Sequence, residues 1–147
     1  MKKSNFIYLF VLLAGMACLD ACKKKEDPAP TRKELLASAS GKKWKLTAAT
    51  LAGADLISRG DECRRDDLFV FYTDKKMVVE EGVISCRPPT VVQGTWNLSM
   101  DEKTLTMSGM GDYNNDYTIV EMSSTTLKAT CPYAGSSTPA NLTFTAQ

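Results

Sequence analysis

The chain contains no histidine. That removes at once the commonest general base near neutral pH and the commonest nitrogen ligand for a metal. It also lacks a charge excess, with 18 Lys and Arg against 17 Asp and Glu. A protein that grips nucleic acid needs a basic surface, so no nucleic-acid partner is expected. Without histidine no pair of nucleophile and base can be assembled, so no catalytic residue and no cofactor are expected. A metal loop fails on its own terms. Asp112, Asn114 and Asp116 have the opening spacing of a calcium loop, but the sixth position is Tyr117 rather than glycine and the twelfth is Ser123 rather than an acid. They read as an Asx-rich turn.

What is present starts at the N-terminus. Residues 1–21 have the layout of a secretory signal peptide: Lys2 and Lys3, the apolar run Phe6–Ala17, then Leu19-Asp20-Ala21-Cys22. The ending resembles a bacterial lipobox, with Leu19 three residues before Cys22 and Ala21 directly before it. That resemblance implies cleavage ahead of Cys22, lipidation of Cys22, and attachment to the outer membrane on its periplasmic or cell-surface face. Cys18, preceded by Gly15-Met16-Ala17, is the rival lipidation site and has the poorer match. Residues 22–30 are a charged linker stiffened by Pro28 and Pro30. Thr31 and Glu34 have the spacing of a capping box, which predicts a helix of about two turns that Gly41 stops.

From Lys42 onward the apolar period becomes two, the mark of strands with one buried face. Eight strands are expected at 43–50, 67–72, 76–81, 91–100, 103–108, 116–122, 125–131 and 140–146. Residues 51–67 read as a long loop, with a short strand at Leu56–Ile57. In 91–100 the residues Val92, Gly94, Trp96, Leu98 and Met100 share a face, and a turn at Asp101-Glu102 sets Trp96 opposite Met107 and Leu98 opposite Leu105. Eight antiparallel strands in sequence order predict an up-and-down barrel of 31–147, which leaves no open edge; a two-sheet sandwich is the alternative.

Cys63 and Cys86 bracket the hairpin of 67–81. With Asp74 and Lys75 as its turn, Tyr72 faces Met77, Val70 faces Val79 and Cys63 falls opposite Cys86. In an exported chain this register favours a Cys63–Cys86 disulfide over a bridge from either to Cys131. Cys131 shares its parity with Leu127 and Ala129, which predicts a buried, inert thiol. Asp66-Asp67 and Glu80-Glu81 are expected as solvated partners of Arg64 and Arg65, because adjacent strand residues point to opposite faces.

The stretches LDACKKKED, TRKELLASASG, KKWKL, CRRDDLFVFYTD, GTWNLSMDEKTLTM and YTIVEMSSTTLKAT together resemble the small lipocalin-like lipoproteins of Bacteroidota. Lipocalins carry Gly-x-Trp on the first strand; here Gly41-Lys42-Lys43-Trp44 is one residue longer. The resemblance implies a barrel, export, a membrane held through the N-terminal lipid, and a small hydrophobic ligand. Trp44, Phe71 (or Phe69), Trp96, Tyr117 and Phe144 are the candidate lumen residues, either lining a pocket or filling the barrel. A monomer is expected. The alternative function is a protein-interaction or inhibitor module acting through the 51–67 loop and the barrel rim.

Overall fold

The computed structural model describes residues 28–87 and 92–147. The expected signal peptide of 1–21 and both candidate lipidation sites, Cys22 and Cys18, lie outside the described residues, as does all of the expected 22–30 linker but Pro28–Pro30. Thr31 opens helix α1 (Arg32–Leu36) with the expected capping box. Its hydroxyl accepts from Glu34 N at 3.3 Å, and Glu34 accepts from Thr31 N at 2.7 Å. The helix is five residues long and stops at Ala37, not at Gly41. The chain is extended at Ala37 because the next residue is captured by a strand. Ser38 N donates to Phe71 O at 3.3 Å, and Thr73 N donates to Ser38 O at 3.2 Å.

Strands β1 (Lys42–Leu51), β2 (Ala54–Asp55), β3 (Leu68–Phe71), β4 (Lys76–Glu80), β5 (Val92–Leu98), β6 (Thr104–Ser108), β7 (Asn115–Met122), β8 (Thr126–Cys131) and β9 (Ala140–Ala146) follow. All but β2 pair in the order β1-β3-β4-β5-β6-β7-β8-β9, and β9 returns to β1. The result is a closed eight-stranded antiparallel barrel, as the strand count implied, with β2 added at the end of β1 through Thr50 and Leu51. The short strand expected at Leu56–Ile57 lies at Ala54–Asp55 instead. The Asp55 carboxylate accepts from Ile57 N at 2.9 Å and Ser58 N at 3.3 Å and coils the chain into a 3₁₀ turn at Ile57–Arg59.

The β5–β6 register is the expected one: Trp96 pairs with Met107 and Leu98 with Leu105. Met100, however, is fully exposed. The strand ends at Leu98 because Ser99 and Asp101 tie the turn locally, with Ser99 Oγ donating to Asp101 Oδ1 at 2.6 Å. The β3–β4 register is one residue off the expected one. Phe71 pairs with Met77 and Val70 with Val78. The turn has three residues, Thr73-Asp74-Lys75, and Lys75 takes a φ of 72°. Asp74 Oδ1 accepts from Lys76 N at 3.0 Å, which closes it. Val70 and Val78 point outward yet are buried. The segment leading into β1 crosses here: a Cβ on Gly41 would lie 2.7 Å from Val70 Cγ1 and 2.8 Å from the Tyr72 ring.

Inward-facing side chains fill most of the barrel. Trp44, Phe69, Phe71, Met77, Val79, Trp96, Leu105, Met107, Leu127 and Phe144 belong to one buried cluster. Gly94 is required by that packing. A Cβ there would sit 2.2 Å from the Ser108 carbonyl oxygen and 2.6 Å from Met110 Sδ, and backbone cannot yield as a side chain can. The bare Cα lets the fully buried Met110 seat inside.

The two ends of the barrel differ. At one end α1 acts as a plug. Leu36 is fully buried, its carbonyl accepts from Trp44 Nε1 at 2.9 Å, and Lys42 Nζ donates to Leu35 O and to Ser124 O in the β7–β8 turn. Arg32 Nη1 donates to Glu102 O in the β5–β6 turn at 2.7 Å. At the other end lie the loops 52–67, 81–87, 109–114 and 132–139, and it is there that a cavity remains.

Candidate functional site

The mouth cavity has a volume of about 290 Å³. Its barrel wall is Leu46 and Ala49 of β1 and Phe69 of β3, all on the inner face. Leu56, Ile57, Gly60, Asp61, Arg64 and Arg65 of the long loop form the outer wall, and Tyr113 of the β6–β7 loop closes one side. Ala49 is the reason for the space: a larger inward residue would fill it. A bulge between Leu46 and Ala48 keeps Ala49 on the inner side of β1.

The loop is held as a wall by three devices. Cys63 and Cys86 form a disulfide, with Cα atoms 5.1 Å apart. The pairing is the expected one, although the hairpin register that suggested it is shifted by one. The ladder ends at Leu68 and Glu80, and the bridge joins the 3₁₀ turn Glu62–Arg64 to the β4–β5 loop beyond it. Arg64 reaches Asp112 at 3.3 Å and Asp61 at 3.6 Å. Arg65 donates to Ser58 O at 3.0 Å and Gly60 O at 3.3 Å and so folds the loop back on itself.

The expected lumen residues lie elsewhere. Trp44, Phe71, Trp96, Tyr117 and Phe144 are all in the buried cluster, and none lines this cavity. Trp44, Phe71 and Trp96 pack toward the plugged end. Trp96 Nε1 donates to Tyr72 O at 2.9 Å, and its ring meets Phe71 edge-on at 6.0 Å. Phe144 supports Phe69 from beneath, with ring centroids 5.4 Å apart, and Phe69 meets Tyr113 at 5.2 Å. Tyr117 donates to Tyr113 O at 2.9 Å and steadies the loop that carries it; burial raises the Tyr117 phenol well above its ordinary range. Of the inward-facing strand aromatics, Phe69 lines the mouth cavity, and it has the same inward parity as Phe71. Sequence parity could not choose between them, because both face in and only depth along the axis differs.

Two acids depart from the expectation of solvated ion pairs. Asp66 Oδ2 accepts from Val83 N at 2.6 Å and Ile84 N at 3.1 Å and holds the β4–β5 loop. Asp67 is 3% exposed, a buried carboxylate, and burial raises its carboxyl above the usual range, with the Asp66 and Glu81 charges adding to the effect and the Gly82 amide and the Arg64 charge opposing it. The three side chains of the Asx-rich stretch go to three separate partners. Asp112 meets Arg64, Asn114 Oδ1 accepts from Met110 N at 2.7 Å, and Asp116 accepts from Thr106 Oγ1 at 2.6 Å. Cys131 is a free thiol and only half-buried, since it ends β8 at the mouth; burial still raises its pKa and so lowers its thiolate fraction.

The family model for a lipocalin-like domain matches residues 41–129, from the glycine ahead of β1 into β8. No curated protein and no solved structure matches the chain.

Proposed function

Because the chain belongs to the lipocalin-like domain family, we propose that it is an exported, lipid-anchored, non-catalytic binding protein whose ligand is small, largely apolar, and seated in the mouth cavity. The observation that carries this is the cavity itself. Its wall of Leu46, Ala49, Leu56, Ile57, Phe69 and Tyr113 is mainly apolar, and its volume of about 290 Å³ is at the small end for ligand pockets. The interior below it is filled, so a long chain that threads the barrel has no room, whereas a compact ligand under the 52–67 loop does. Isothermal titration of the domain from residue 23 onward with phenylbutanol tests the reading. One saturable site is expected, weakened about tenfold or more by Ile57→Lys, which brings a charge to the apolar wall. A flat titration, or indifference to Ile57→Lys, overturns it.

The anchor rests on the lipobox-like ending at Cys22 and is tested separately. Expressed in a bacterial host, the full chain partitions into membranes and Cys22→Ser moves it to the soluble fraction; the same shift with Cys18→Ser alone assigns the lipid to Cys18. A second functional reading, a protein-interaction module, draws on the exposed Val83, Ile84 and Tyr133 of the mouth-end loops. It becomes the better one if the cavity takes no probe.

A further inference from the structure

Asp67 stands immediately before β3, and its Oδ1 has no hydrogen-bond partner among the described residues. Burying a carboxylate oxygen without a donor is costly, and native structures rarely tolerate it without a use. The side chain lines a second cavity, of about 140 Å³, together with Val79, Val92, Met110, Asp112, Arg64 and Tyr113. Arg64 and Tyr113 also line the mouth cavity. The two spaces are thus neighbours, one mainly apolar and the other with the buried, unpartnered Asp67 oxygen in its wall. Among the described residues no cation bonds to Asp67 Oδ1, although the Arg64 charge acts on the carboxyl and partly offsets the rise in its pKa. Arg64 is engaged by Asp61 and Asp112, and Arg65 by two loop carbonyls. Asp66 and Glu81 stand close enough to make the surroundings of Asp67 more negative.

We propose that Asp67 is the polar subsite of the mouth cavity, and that the ligand is a small amphipathic amine whose apolar body lies against Phe69 and Ile57 while its ammonium group donates to the Asp67 carboxylate past Tyr113. This rests on the cavity being a binding site, as argued above. An ammonium fits better than a hydroxyl, because it supplies both the missing donor and a countercharge to a carboxylate crowded by Asp66 and Glu81, which Arg64, shared with Asp61 and Asp112, offsets only in part. A carboxylate-headed ligand is the wrong sign for this subsite.

The test uses three probes with one apolar body: phenylbutylamine, phenylbutanol and phenylbutyrate, titrated calorimetrically into the domain at neutral pH. The amine binds about tenfold tighter than the alcohol, and the acid binds weakest. Asp67→Asn, nearly isosteric, brings the amine down to the affinity of the alcohol, and Asp67→Ser does the same. The wild-type ranking needs no variant and stands if either substitution impairs folding. If the alcohol binds and the amine is no tighter, or if the advantage of the amine survives Asp67→Asn, the subsite is overturned while the cavity reading stands. If none of the three binds, both fall together.

Discussion

Replacing Trp44 with Ala lowers the unfolding free energy by about 4 kcal/mol. Trp44 is fully buried and stands where the plug meets the barrel. Its removal opens a cavity that the eight-stranded ring cannot close by collapse, since each neighbour is fixed by its own ladder. It also strips the Leu36 carbonyl of its donor at 2.9 Å, and takes away the ring over which Lys42 Nζ sits at 4.7 Å. Trp44→Phe separates these effects: it keeps most of the volume, loses the hydrogen bond, and costs about 1–2 kcal/mol. Urea unfolding followed by the fluorescence of Trp96, the other tryptophan, measures both. If Trp44→Ala costs no more than Trp44→Phe, the plug is not packed as described.

Reducing the Cys63–Cys86 bridge, or replacing both cysteines with Ser, costs about 3 kcal/mol by the chain-entropy argument for a loop of this length. The bridge spans 23 residues that include the whole β3–β4 hairpin. Its effect reaches the candidate site. Asp61, Arg64 and Arg65 are cavity wall and flank Cys63, so without the bridge they depend on one exposed ion pair to Asp112 and on loop carbonyls. An exposed ion pair contributes little. Thermal melts with and without dithiothreitol give the stability change, and titration of the double Ser variant gives the effect on the wall: phenylbutanol binds it more weakly than it binds the intact protein. Equal melts in both conditions would mean that the other contacts hold the loop unaided.

Much of the barrel was written locally. The alternation in 91–108 places Trp96, Leu98, Leu105 and Met107 inward, and their facing pairs follow once the turn is set. The β3–β4 hairpin went one residue astray for an equally local reason. Thr73-Asp74-Lys75-Lys76 contains no glycine or asparagine to mark the left-handed position, and that position falls on Lys75. The cysteine pairing survived the error because both cysteines lie beyond the ladder, where the chain bends and strict opposition no longer applies. Asp67 was misread because its neighbours in sequence, Arg64, Arg65 and Asp66, suggest a solvated cluster. In space those neighbours are used by the Asp61, Asp112, Ser58, Gly60, Val83 and Ile84 groups, and Asp67 alone is turned inside.

By itself, then, the sequence determined the eight barrel strands to within a few residues, the apolar face of those that alternate, and a cysteine pairing reached through a register one residue off. These depend on period-two alternation and on spacing between near neighbours, and both are properties of short stretches. Only the tertiary structure decided where along the barrel axis each inward residue lies. Closure joins β1 to β9 across nearly the whole domain, and the strands' mutual stagger is fixed only when that ring is complete. Stagger is what sends Trp44, Phe71 and Trp96 toward the plug, leaves Phe69 and Ala49 at the mouth, and brings the 52–67 loop over them to make a cavity with Asp67 beside it.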